Sequence, residues 1–405
     1  MVPKLRFSEF NKVWQQKKIG DVFTIFSGFA FKSTDATTSG CRWLKIADVG
    51  CQVMTPNTPS FLPNHFSNEY HKFLIRKDDY VVALTRPILN GKLKIAIAGK
   101  EYDGSLLNQR VGKIVTNNNP KFVYSLLQME STVSKINNCI AGTDPPNLST
   151  QDIKDMVVFV PIIEEQTKIA DFLFSVDKKI TLLNKQYDLL CQYKKGMMQK
   201  IFSQELRFKD DSGDEFPEWK EVELKEIASK VNTKNRDNSV TAVLTNSATQ
   251  GIVNQESYFE REIVTESNLT GYYVVRTGDF VYNPRISSTA PVGPIKMNEL
   301  TQGVMSPLYT VFRFEKGLLK FYQYFFESSV WHDYMKSVAN SGARHDRMNI
   351  SGADFFGLPV PQPFEAEQTK IANFLSALDD KIAVKKAELD KLKTWKQGLL
   401  QQMFV

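Results

Sequence analysis

The sequence predicts an α+β chain of two tandem units. Each is a strand-rich globular part that runs into a long helix, and the two helices pair as a coiled coil. Two observations carry this. First, Glu165-Gln166-Thr167-Lys168-Ile169-Ala170 recurs as Glu367-Gln368-Thr369-Lys370-Ile371-Ala372, 202 positions later, within an ungapped match of residues 147–203 to residues 349–405. Over the last 39 positions of that match, 17 are identical. A period this long is no solenoid repeat; it duplicates a whole unit. Second, the apolar residues after each motif step alternately by four and by three. That 3.5-residue average keeps one stripe turned toward a partner helix.

In the first helix the stripe is Ile169, Leu173, Val176, Ile180, Leu183, Tyr187, Leu190, Lys194, Met197 and Ile201. In the second it is Ile371, Leu375, Leu378, Ile382, Lys385, Leu389, Leu392, Lys396, Leu399 and Met403. Neither helix contains proline, and at 1.5 Å per residue each spans roughly 55 Å. Heptads favour a paired rod over two helices of an ordinary bundle but leave the pairing direction open. Phe172, Phe202, Phe374, Trp395 and Phe404 fall off the seam and are expected to form a second apolar surface.

The remaining segments follow in order. Leu5-Arg6-Phe7 before Trp14 recurs as Leu206-Arg207-Phe208 before Trp219, so the duplication reaches the start of each unit. The units divide as residues 1–163 (first globular domain), 164–203 (central helix), 204–363 (second globular domain) and 364–405 (C-terminal helix). Strands are predicted at residues 80–84, 93–98, 111–115, 280–282 and 308–314, from apolar or alternating runs bounded by turn residues. Helices are predicted at residues 122–136 and 321–338. The loop Asp144-Pro145-Pro146-Asn147 is expected to lead through Asn147-Leu148-Ser149 into a strand. The middles of the two units differ in sequence, which suggests one frame presenting two surfaces.

Hydrophobic residues make up 42% and charged residues 24% of the 405, a globular balance. The net charge of +6 is compatible with nucleic acid without requiring it. No run reaches the roughly 20 apolar residues of a membrane span. Cys41, Cys51, Cys139 and Cys191 form no metal-site or CxxC spacing, and no signal peptide opens the chain, so a cytoplasmic protein with reduced thiols is expected. There is no G-x-G fingerprint and no P-loop. Asp144-Pro145-Pro146-Asn147 resembles the Pro-Pro-aromatic loop of amino-methylating DNA enzymes, but Asn147 has no ring to stack on a flipped base. His65, His71, His332 and His345 make no i, i+4 pair.

What remains are basic and amide side chains near strand ends. In the first unit these are Lys32, Lys45, Arg86, Lys92, Lys94, Asn108, Gln109 and Arg110. In the second they are Lys234, Arg236, Asn283, Arg285, Arg344, His345 and Arg347, with Asn235 and Asn246 nearby. Arginine presents a fork to guanine, asparagine and glutamine one to adenine, and lysine mostly meets phosphate. Each is equally readable as a solvated surface residue.

The duplicated Leu-Arg-Phe and Trp lead-ins, the Glu-Gln-Thr-Lys-Ile-Ala openings after Pro161 and Pro361, and the heptad helices resemble the specificity subunit of type I restriction–modification systems over essentially the whole chain. The resemblance implies two target-recognition domains, each reading half of a split double-stranded DNA site. It implies an antiparallel intramolecular coiled coil between them, with Ile169, Leu173, Ile180, Leu190, Ile371, Leu375, Ile382 and Leu392 on the spacer helices. It also implies two DNA adenine methyltransferase subunits and two ATP-dependent restriction subunits as partners. S-adenosylmethionine, ATP and magnesium would sit on those partners, and this chain would supply no catalytic residue or metal ligand. The alternatives are a stand-alone DNA-binding regulator and a fused enzyme with a cryptic nuclease site.

Overall fold

The computed structural model describes residues 1–56, 58–140, 145–259, 266–340 and 346–405. It forms two compact units: Met1–Asn184 with Ala387–Val405, and Lys185–Lys386. Each long helix is continuous, Ile163–Phe202 and Glu365–Met403, and contributes one end to each unit.

The first unit carries β1 (Gln15–Lys18), β2 (Thr24–Ser27), β3 (Cys41–Leu44), β4 (Phe61–Leu62), β5 (Tyr80–Ala83), β6 (Ile88–Leu89), β7 (Lys92–Leu93), β8 (Ile95–Ile97), β9 (Leu106–Leu107), β10 (Val111–Val115) and β11 (Val157–Val160). β1 pairs with β11, so the chain's start is tied to the strand that feeds the first long helix. The central sheet is antiparallel in the order β2-β10-β5-β8. Both its faces are buried. Val82 and Ile114 point into a core shared with helices Pro120–Leu126 and Glu130–Ile140 and with both long helices. Val81, Ala83 and Val111 point into an outer core under β3, β4 and β9. That two-sided burial explains why β5 reads as a continuous apolar run rather than an alternating one.

The second unit carries β12 (Lys220–Glu223), β13 (Ala228–Lys230), β14 (Leu244–Ser247), β15 (Gly251–Asn254), β16 (Tyr273–Val275), β17 (Phe280–Tyr282), β18 (Ile295–Met297), β19 (Gly303–Met305), β20 (Thr310–Phe314) and β21 (Pro359–Gln362). β12 pairs with β21, and the sheet β13-β20-β17-β18 repeats the order of the first unit. The unlike middles therefore share their sheet. The bonds Ala98 N–H to Asp79 O and Asn298 N–H to Asp279 O correspond at a shift of 200 residues. The units part company outside it: β3, β4 and β9 in the first, the hairpin β14–β15 and the antiparallel pair β16–β19 in the second.

The long helices pack antiparallel. In the first unit Ile169, Leu173 and Val176 meet Leu399 and Met403, and Asp177 accepts a 2.6 Å ion pair from Lys396. In the second, Ile371, Leu375 and Leu378 meet Met198 and Ile201, and Asp379 is 2.7 Å from Lys194. Every seam position is buried or half-buried, Ile180, Leu190, Ile382 and Leu392 being half-buried.

Several local expectations fail for identifiable reasons. The helix at 122–136 is two, split after Leu126, and the one at 321–338 is two, split at 328–331. In the second, the Ser328 hydroxyl bonds back to the Phe325 carbonyl. The strand at 93–98 breaks between β7 and β8, where the Lys94 N–H turns to the Pro87 carbonyl. Ser149 and Ser351 open short helices, Thr150–Ile153 and Gly352–Phe356, by accepting from the backbones of Asp152 and Asp354. The strand follows only afterwards. Nor do the off-seam aromatics form a second surface: Phe202 and Phe404 are buried within the cores, while Phe172 and Phe374 pack on Phe7 and Phe208. Trp395 remains 48% exposed.

Candidate nucleic-acid interface

The frame first fixes the loops. Glu165 is buried and takes both forks of Arg6 at 2.7 Å as well as the Trp14 indole N–H at 3.2 Å. Glu367 takes Arg207 at 3.2 and 2.8 Å and the Trp219 N–H at 2.9 Å. The neighbouring glutamines act alike. Gln166 donates to the Pro161 carbonyl and accepts from the Asn119 N–H, and Gln368 does the same with Pro363 and Leu318. Each glutamine thereby ties its long helix to the start of the helix that covers the sheet. The duplicated residues Arg, Trp, Glu and Gln are one buried latch, present twice.

Above the latch, the loop after the third strand of each sheet is clasped by the segment that precedes the capping serine. In the first unit the Arg86 N–H bonds to the Pro146 carbonyl and the Leu148 N–H to the Leu84 carbonyl, with Thr85 and Asn147 opposite each other. In the second unit the Ile286 N–H bonds to the Asp346 carbonyl and the Met348 N–H to the Pro284 carbonyl, with Arg285 opposite Arg347. All these positions correspond at a shift of 200. The sequence match at 202 had set Asn147 against Asn349. The backbone sets it against Arg347, so two additional residues, Asn349 and Ile350, lie before Ser351 in the second unit.

Around the clasp of the first unit, Arg110 lies beside Leu84, its carbonyl accepting from the Leu84 N–H, and the Asn108 side chain accepts from the Arg110 N–H at 2.9 Å. The Asn108 and Gln109 amides bond to Leu44 and Phe29, which brings Lys45 and Lys32 to neighbouring loops. Gly28 permits this approach, since a β-carbon there would meet the Leu107 carbonyl oxygen at 2.1 Å. Arg86, Gln109, Arg110 and Lys32 are exposed. Lys45 is half-buried, with its ammonium 3.9 Å from the centre of the Trp43 ring. Lys94 is half-buried and burial lowers its pKa; Lys92 is exposed on the β6–β7 hairpin.

In the second unit, Asn283, Arg285 and Arg347 line one cleft of about 320 Å³ with Thr245, Ser247, Tyr258 and Tyr309. Asn283 is committed to its own loop: it donates to the Asn246 carbonyl at 3.0 Å and accepts from the Arg285 N–H at 3.0 Å. Asn246 and Asn235 are buried scaffolding, Asn246 donating to the carbonyls of Val281 and Pro294 and Asn235 to that of Val240. Lys234 and Arg236 are exposed on a separate loop outside the cleft. Arg344 and His345 lie outside the described residues. The hydroxyls of Thr245 and Ser247 had escaped sequence reasoning, because the β14 run Leu244-Thr245-Asn246-Ser247 lacks the apolar pattern of a strand. Its chemistry is that of a polar, cationic groove offering guanidinium, hydroxyl and phenol groups.

Among the described residues no group of three or more His, Cys, Asp or Glu is placed to hold a metal ion, and no helix is long and apolar enough to cross a membrane.

The chain is 30% identical over 210 residues to the MjaVIII type I restriction enzyme specificity subunit of Methanocaldococcus jannaschii, a match covering 51% of this chain and 49% of that protein. It is 29% identical over 182 residues to the EcoAI specificity subunit of Escherichia coli, covering 44% of this chain and 30% of the relative. The matched stretch thus spans half or less of these relatives. In fold, it resembles the type I restriction–modification S subunit from M. genitalium with a TM-score of 0.57 at 16% identity, covering 100% of this chain and 99% of the other. The profile of the type I restriction modification DNA specificity domain matches twice, at residues 11–191 and 217–394. Both matched stretches contain a clasped loop and the Trp, Glu and Gln of a latch, and with them the chain belongs to the type I restriction–modification DNA specificity family.

Proposed function

We propose that this chain gives a type I restriction–modification complex its DNA address. Each unit reads one half of a split double-stranded site, and the paired helices set the distance between the halves. The observation that carries this reading is the clasped loop. In both units, though unlike in sequence, the clasped loop carries an arginine: Arg86 next to the Thr85–Asn147 bridge in the first, and Arg285 opposite Arg347 in the second. Rigid elements that hold guanidinium and amide forks suit base edges and phosphates.

The partners are two adenine methyltransferase subunits that bring S-adenosylmethionine, and two restriction subunits that bring ATP and magnesium. This chain contributes no catalytic residue. Large apolar side chains left exposed on the long helices support a docking role: Leu182, Leu189 and Tyr193 on the first, Val384 and Trp395 on the second.

The test is co-expression with the methyltransferase encoded beside it in a methylation-free host, followed by single-molecule sequencing of the genome. The expected result is a split N6-methyladenine motif that disappears without this chain. Replacing residues 20–145 with those of another family member should change one half of the motif only. A stable complex that leaves the genome unmethylated, or no complex at all, overturns the proposal.

A further inference from the structure

The two clasps share their backbone bonds but not their residues, and the facing pair differs most in charge. In the first unit the facing pair is neutral: the Thr85 hydroxyl donates to the Asn147 side-chain oxygen at 2.7 Å. In the second unit the same two backbone positions hold Arg285 and Arg347. Residues directly opposite across an antiparallel bridge project their side chains to one side, and like charges there are destabilising. Little relieves them. The Arg285 guanidinium is 3.8 Å from the Asp346 carboxylate, both groups being more than half exposed, which is a weak contact. Among the described residues, no hydrogen bond or ion pair engages the Arg347 side chain. One carboxylate against two guanidiniums leaves a net positive charge at the wall of a cleft whose other polar side chains are hydroxyls, phenols and the committed Asn246 and Asn283.

From this juxtaposition we propose that Arg285 and Arg347 form a two-arginine clamp on a backbone phosphate of the DNA, present in the second unit and absent from the first. The proposal rests on the DNA-reading function above and makes these two arginines positioning residues, which do not read bases. Two adjacent guanidiniums are held apart by their own repulsion until a doubly contacted anion sits between them, and a phosphate accepts both forks. Thr85 and Asn147 satisfy each other and offer the first unit no such site.

The test uses the full chain in complex with its methyltransferase and a duplex containing the methylated motif. The informative variant is Arg285→Thr with Arg347→Asn, which installs the pair that the same bridge already accommodates in the first unit. Three results are expected. Affinity falls roughly tenfold or more. The slope of log affinity against log salt becomes shallower by about 1 to 2, as for one or two lost phosphate contacts. The methylated motif stays unchanged. A scan in which single linkages of the second half-site are made neutral methylphosphonates should find one linkage that weakens the wild type and leaves the variant unaffected. An altered motif would make the arginines base readers and overturn the clamp, and so would an unchanged salt slope. Failure of the wild-type complex to bind the duplex would instead remove the proposed function itself.

Discussion

Glu165 and Glu367 show why single residues of the repeat are duplicated so faithfully. Each is an anion almost wholly removed from water, acceptable only because an arginine fork and an indole N–H satisfy it. Removing one partner of such a pair strands the other, at about 3–5 kcal/mol. Arg6→Ala and Arg207→Ala are therefore each expected to lower unfolding free energy by about 3 kcal/mol or more in urea titrations. Arg6→Met paired with Glu165→Met should recover part of that loss, since a buried ion pair replaced by packed apolar groups is close to neutral, whereas the Trp14 indole N–H is left without its acceptor. A single substitution that costs under about 1 kcal/mol would show the latch to be ornamental. At this scale the sequence was informative about which residues matter and silent about why: Arg6 and Glu165 stand 159 positions apart, and no local rule joins them.

The long helices were the most legible elements, because a 3.5-residue stripe follows from helix geometry alone. Their direction was not legible, as a stripe reads the same either way. In the structure each seam lysine meets an aspartate of the opposite helix, and the two lysines are not equivalent. Lys194 sits between Asp379 at 2.7 Å and Glu327 at 3.0 Å. Burial alone would lower its pKa, but attraction to Glu327 and hydrogen bonds to Asp379 and Glu327 outweigh this and raise it. Lys396 meets one acid, Asp177, and the side-chain amide of Gln128 at 2.9 Å. Lys194→Ala leaves two acids facing each other; Lys396→Ala leaves one. The first should cost more stability, by about 1 kcal/mol or more in urea titrations at neutral pH. Equal losses at neutral pH would count against this account. The short elements were less legible, because tertiary bonds set their ends: the Lys94 N–H leaves the ladder for Pro87, and Ser149 starts a helix where a strand was expected.

For the whole chain, the duplication was visible only where both copies do the same job. The lead-ins, latches and long helices kept their sequence, whereas the sheets kept their order and lost theirs, since any well-packed apolar set fills a two-sided buried sheet. The candidate interface was legible by residue type but not by partnership. Asn283, Asn235 and Asn246 look like base readers in the sequence, yet they spend their amides on backbone carbonyls. Because the clasps and the strands outside the shared sheet differ between units, the two half-sites should differ, and the methylated motif should be asymmetric. A palindromic motif in the sequencing experiment would contradict this.

The return of residues 387–405 to the first unit also sets a timetable for its synthesis. Phe404 packs against Trp14 and Phe122, the Leu5 N–H bonds to the Gln402 carbonyl, and Leu399, Leu400 and Met403 fill the same core. Domains made on the ribosome ordinarily close in order, the N-terminal one first. Here the N-terminal core lacks part of its apolar filling until the final helix has left the exit tunnel. The second unit is made of residues 185–386, so its whole sequence is synthesised before the last segment of the first. Between the synthesis of residue 184 and that of residue 405, the nascent first unit thus carries an unfinished hydrophobic core.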